Sequence, residues 1–143
     1  MSKNFHAKWI EDPIYKSHFW FCYGDREDLK NFLLKKKYKK FKVDNIEFLN
    51  SSTVDGAYFT IKDDDYVWIQ DVDLGVLVHE LSHKHGATLV GRGMNFNDQT
   101  REAFAYYLEY CFNACLNFIK DSQKKDRVKK RLKNKFKVKK IKK

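Results

Sequence analysis

Apolar and polar positions change period several times along this chain, and each change marks an expected element. Residues Met1 to Pro13 are polar with scattered aromatics, Phe5 and Trp9 among them, and read as an extended arm or a short helix. Ile14 to Tyr23 is rich in aromatic and β-branched residues, which predicts a strand. Gly24-Asp25 ends it, and Asp25 suits a helix N-cap. Leu29, Phe32, Leu33 and Lys36 then recur at helical spacing, so a helix is expected from Asp28 to about Tyr38. Phe41 to Asn50 is ambiguous, with a short strand expected around Ile46 to Leu49. Ala57 to Lys62 and Tyr66 to Gln70 read as two hairpin strands joined through Asp63-Asp64-Asp65. That acidic triplet lacks the ligand spacing and glycine of a calcium loop and reads as a solvated turn.

The second half changes to a helical period. Asp71 or Asp73 is placed to cap a helix whose expected buried stripe is Leu74, Leu77, Val78 and Leu81. Helix signals fade after His85-Gly86, and Gly91 to Asn97 reads as a loop. Asp98 then suits the cap of the next helix. From Ala103 to Ile119 that helix is apolar nearly all round, which predicts a core position, with Glu102 and Glu109 on one face of it. Glutamate is rarely fully buried without a partner, and a metal is one partner that would explain it.

Composition refines this picture at three points. A length of 143 residues with 16% aromatics suits one domain with a real core, and one proline and six glycines leave no linker to divide it. The net charge of +10 belongs to one end of the chain. Residues Lys120 to Lys143 hold 14 Lys/Arg and two Asp, leaving 15 basic and 17 acidic residues in the first 119. The expected organisation is therefore a body over residues 1–119 and a Lys-rich helical tail over 120–143. Such a tail fits a nucleic acid or another polyanion, and equally a solvated helix that only aids solubility. The lysines at 35–37, 39 and 40 read as favourable charges at a helix C-terminus, with an anion-binding patch as the alternative. Three cysteines, without a C-x-x-C, predict a reducing, intracellular setting rather than a disulfide framework. Cys111 and Cys115 read as small core residues. No secretory signal or long apolar run is evident, so a cytoplasmic protein without a membrane span is expected.

Candidate chemistry converges on His79-Glu80-Leu81-Ser82-His83. This is His-Glu-x-x-His, the zinc signature of metallopeptidases. Positions four apart share one helix face, so two imidazoles one turn apart can grip one ion. Glu80 lies where its carboxylate reaches a metal-bound water without being a ligand. With five His and six Glu, a chain of this length carries the spacing by chance about once in 140, so context must support it. A hydrolytic zinc site needs three protein ligands and an open position for water. The site helix has no further side chain in the right direction, so the third ligand is expected from a neighbouring element. Glu102 is the favoured residue, with Asp98 and Glu109 as competitors. Glu80 would then be the general base, and Tyr106, one turn after Glu102, the candidate oxyanion donor, with core packing as its alternative role. His85 reads as surface, and His6 and His18 have no partner nearby in sequence. Tyr66 to Gln70, just before the motif helix, is placed to hold an extended peptide by main-chain pairing.

The order strand, helix, hairpin, His-Glu-x-x-His helix, then a helix opening with a glutamate resembles the gluzincin group of zinc peptidases. It is similar in size and layout to small gluzincin-like peptidases encoded by bacteriophages. The matching residues are His79 to His83 and Asn97-Asp98 through Glu102-Ala103-Phe104-Ala105-Tyr106, within a likeness covering roughly Ile14 to Phe118. The resemblance implies Zn2+ held by His79, His83 and Glu102, with Glu80 as base. It departs from larger gluzincins in lacking a second domain to wall the cleft. The expected fold is α+β: a minimal zincin-like domain with a small antiparallel sheet packed on the motif helix and the glutamate-bearing helix. The expected function is a zinc-dependent hydrolase acting on a protein or peptide. The alternative is a nucleic-acid-associated or non-catalytic interaction protein that keeps a structural or vestigial zinc site and binds through its tail.

Overall fold

The computed structural model describes residues 5–36, 38 and 40–141. The chain begins with a strand, β1 (His6–Asp12), which turns back into β2 (Ser17–Tyr23). The expected arm or short helix near the N-terminus is thus an edge strand, paired antiparallel with β2 from His6↔Tyr23 to Asp12↔Ser17. The turn between them shortens the strand expected from Ile14. Asp12 accepts hydrogen bonds from the backbone N–H groups of Ile14 and Tyr15 at 2.8 and 2.9 Å, and Lys16 takes a left-handed φ of 50°. Such an Asx arrangement satisfies turn donors that a strand would have paired.

After Gly24 the chain enters α1 (Arg26–Lys35), capped by Asp25 as expected. A short helix, α2 (Lys40–Asp44), and a 3₁₀ turn over Glu47–Asn50 follow, the latter where a short strand was expected. Lys36 lies 3.3 Å from the centre of the Trp20 ring, a cation–π contact, while Lys37 and Lys39 of the expected lysine cluster fall outside the described residues. The hairpin β3 (Gly56–Ile61) and β4 (Asp64–Ile69) closes through Lys62-Asp63, with Lys62 at a φ of 56°. Helices α3 (Leu74–Gly91) and α4 (Arg101–Ile141) complete the fold.

The α+β class holds, but the sheet is mixed rather than wholly antiparallel. Its order is β1-β2-β4-β3, and β2 runs parallel to β4. A parallel pair needs a long crossover, supplied here by everything from α1 to β3. Local periodicity shows hairpins and cannot show which strand of one hairpin meets which strand of the other. Gly24 helps join the halves: its N–H donates to the Ile69 carbonyl at 3.1 Å, and its carbonyl accepts from the Trp68 indole at 2.9 Å.

Period-two alternation gives the sheet two apolar faces. Ile10, Phe19, Phe21, Val67 and Ile69 meet α3 and α4 on one side. Cys22, Ala57, Tyr66 and Trp68 meet Leu29, Leu33, Val43 and Leu49 on the other. The sheet is therefore the middle of three layers.

The two long helices depart from expectation in how much of each is covered. On α3, Leu77 and Leu81 are fully buried, but Leu74 and Val78 are 46% and 40% exposed. Leu74 sits in the first turn and Val78 on the flank. The helix also runs through Gly86 to Gly91, because packing of Leu89 into the core outweighs the weak propensity of glycine. On α4 only one stripe is buried: Phe104, Tyr107, Cys111, Cys115 and Ile119, followed by Ser122. The expected all-round apolar core helix is thus a one-sided surface helix, and it continues without interruption through residue 120 into the lysine-rich stretch. Burial pushes the Cys111 thiol up to about 11, as befits a small core residue.

Candidate metal centre

Leu77 and Leu81 set the rotation of α3 by burying themselves against the sheet, and Asp73 fixes its start by accepting from the N–H groups of Gly75 and Val76 at 2.8 and 3.1 Å. With that face fixed, His79 and His83 emerge exposed on the other side. Their Nε2 atoms converge to 3.2 Å, with the rings nearly perpendicular at 82°. A tetrahedral zinc at 2.0–2.1 Å from each of two nitrogens holds them about 3.3 Å apart, so the pair has the spacing of two ligands of one ion. The same distance also accommodates a hydrogen bond in which one imidazole N–H donates to its neighbour.

Glu80 is turned the other way, into the fold, and is buried. One of its oxygens, Oε2, accepts from the backbone N–H of Tyr58 at 2.7 Å. Tyr58 lies on β3, one of the two edge strands of the sheet, and this N–H points away from β4. Helix and edge strand are therefore clamped through the residue between the two histidines. The closeness of the clamp depends on Gly56: a Cβ built there would stand 2.4 Å from Val76 Cγ1 and 3.1 Å from Glu80 Cγ. Gly56→Ala is accordingly expected to lose about 1–3 kcal/mol of stability, read as a lower urea midpoint, as α3 is pushed off the strand.

Asn97 organises the loop before α4: its side chain accepts from the N–H groups of Gln99 and Thr100 at 2.9 and 3.1 Å, and Thr100 Oγ1 donates to the Asn95 carbonyl. Asp98, the expected cap, instead stands in solvent 3.7 Å from Arg101. Glu102 follows in the first turn of α4 and is exposed, as is Glu109. Tyr106, on the Glu102 face, is 66% exposed, so core packing is not its role. Among the described residues no three His, Cys, Asp or Glu side chains stand close enough to hold one ion. The geometry brings together His79 and His83, holds Glu80 against Tyr58 instead, and does not gather Glu102, Asp98 or Glu109 to the pair.

The structure also corrects several neighbours of the motif. His85 is half-buried rather than on the surface: its ring meets Phe104 edge-on at 5.5 Å, and burial holds its imidazole below the usual histidine range. His6 and His18 have partners remote in sequence. His6 stacks on Tyr23 and lies 2.8 Å from Asp126, and His18 stacks on Trp9. The β4 strand, expected to offer its main chain to a peptide, is paired on both sides; the edge strand next to it is β3.

Sequence reasoning missed Lys84, which is 0% exposed. Its ammonium donates to Ser17 Oγ at 2.7 Å and to Thr88 Oγ1, and lies 3.5 Å from Asp65. Burial lowers its pKa, while Asp65 acts in the opposite direction. Asp65 is also bonded to Tyr58 and Thr60, and Asp64 to Tyr38, so the acidic triplet is a built junction rather than a solvated turn. The spacing already held the signal, since Lys84 is three residues after Leu81 and seven after Leu77 on the buried stripe.

Comparison of the chain with family models, curated proteins and solved structures gives no match. Among the described residues no helix is long and apolar enough to cross a membrane.

Proposed function

We propose that this chain is a zinc-dependent hydrolase that cleaves peptide bonds. The observation that carries the reading is the convergence of His79 and His83 Nε2 to 3.2 Å on the exposed face of α3, with Glu80 between them in sequence. His79 and His83 would be two of the ligands, and Glu102, exposed at the start of the neighbouring helix and standing apart from the pair, would have to swing in as the third. When bound, the ion supplies a water of lowered pKa and polarises the scissile carbonyl. Glu80 is the general base. Its Oε2 accepts from the Tyr58 N–H, so the carboxylate is held on the β3 side of α3 and would have to turn towards the histidine face to reach the water. The exposed phenol of Tyr106 donates to the oxyanion. The substrate is a protein or peptide segment, and the outer edge of β3 beside Glu80 offers main-chain groups to an extended chain.

The metal content of the purified chain, dialysed against excess zinc and then against buffer, tests this reading. One zinc per chain is expected, and none in His79→Ala. A wild-type chain that emerges metal-free would defeat the reading.

A further inference from the structure

A helix turns 100° per residue, and on α4 this rotation sorts the cations that follow the core stripe. Lys120, Lys124, Arg127 and Arg131 recur at i, i+4, i+7 and i+11, within about 60° of arc, and all four are exposed. They form a straight ridge about 16 Å long. The buried stripe ending in Ile119 and Ser122 lies about 140° away around the axis, so the ridge faces away from the body of the protein. Between residues 120 and 134 eight Lys/Arg stand against two aspartates, and one of these, Asp126, is engaged by His6.

We infer that this ridge is a docking surface for the phosphate backbone of duplex nucleic acid. A duplex carries one negative charge per about 1.7 Å of axis, so a straight row of cations on a rigid helix meets a row of phosphates without reordering. A membrane surface is the poorer fit. An interfacial helix needs a broad apolar face, whereas residues 120 to 134 contain only Val128 and Leu132 as large apolar side chains, a strip two residues wide. The contact is to phosphate rather than to bases, so it is independent of sequence and steep in salt. It does not depend on the zinc reading.

The test is fluorescence anisotropy of the full chain with a labelled 20-bp duplex of mixed sequence, across a salt series. Two variants each lose four charges: Lys120→Gln/Lys124→Gln/Arg127→Gln/Arg131→Gln on the ridge, and Lys125→Gln/Lys129→Gln/Lys130→Gln/Lys133→Gln off it. Circular dichroism confirms that both keep their helix. The ridge variant is expected to reduce the slope of log K against log salt by about 3.6, from 0.9 per phosphate contact, and the off-ridge variant by clearly less. Equal losses in the two variants, or a wild type that does not bind the duplex, would overturn the proposal. So would tighter binding of phosphatidylserine vesicles or of polyglutamate than of the duplex. Zinc content is expected to be the same in all three proteins, which keeps this result separable from the metal reading.

Discussion

Glu80→Gln is expected to keep the zinc of the wild-type chain and to lose peptide hydrolysis by about 10²–10⁴-fold. The amide is nearly isosteric, and its oxygen can still accept from the Tyr58 N–H, so the clamp between α3 and β3 survives. What disappears is a group able to take a proton from water. The readouts are zinc content, the urea midpoint and cleavage of an unstructured protein such as casein by the zinc-loaded chain. A variant that hydrolyses as fast as the wild type removes Glu80 from its role as base. A variant whose urea midpoint falls together with its activity shows that the carboxylate is a structural tie. The experiment thus separates the tie of Glu80 to the edge strand from its proposed role towards water.

The second large effect is expected at Lys84, which touches nothing in the proposed chemistry. Lys84→Ala should lower stability by about 2–4 kcal/mol, from lost packing and from the hydrogen bonds withdrawn from Ser17 and Thr88. Lys84→Met keeps most of the volume and should cost less. The pair shows how much of the effect is packing and how much is the polar tie. The pH dependence has a definite sign. Burial sets the folded pKa of Lys84 below the unfolded value. In the window between the two, the unfolded chain binds more protons, so this group adds stability as pH rises towards 10.5. The stability difference between wild type and Lys84→Met should therefore shift in favour of the wild type from pH 7 to alkaline pH. Urea titrations at the two ends of that range measure it. A flat difference would mean that the lysine is not desolvated as its 0% exposure indicates.

Those two residues also show where a sequence is legible and where it is not. The strands at 56–61 and 64–69, the Asp73 cap, the motif helix and the pairing of His79 with His83 all follow from short-range spacing, and the structure contains them. Lys84 sits on the same spacing, which places its charge on the buried stripe but does not show what receives it. Its partners, Ser17 and Asp65, lie on strands far away in the chain. β1 was missed for a related reason: His6 to Asp12 is not strongly apolar and becomes a strand by pairing with β2 along its whole length. The parallel contact of β2 with β4 is a matter of topology, which no local period encodes. Glu102 was expected as a ligand from its place after a loop, and it does stand at the start of α4, but helix position alone does not bring a carboxylate to an imidazole pair.

The unbroken course of α4 makes one element serve as both anchor and arm. Glu102 and Arg131 belong to the same rod and lie about 44 Å apart at 1.5 Å per residue. Whatever grips the far end holds the near end at a set reach, so the chain would act as a short tether. On the two proposals above, hydrolysis would be confined to proteins resident within about 4 nm of the bound polymer.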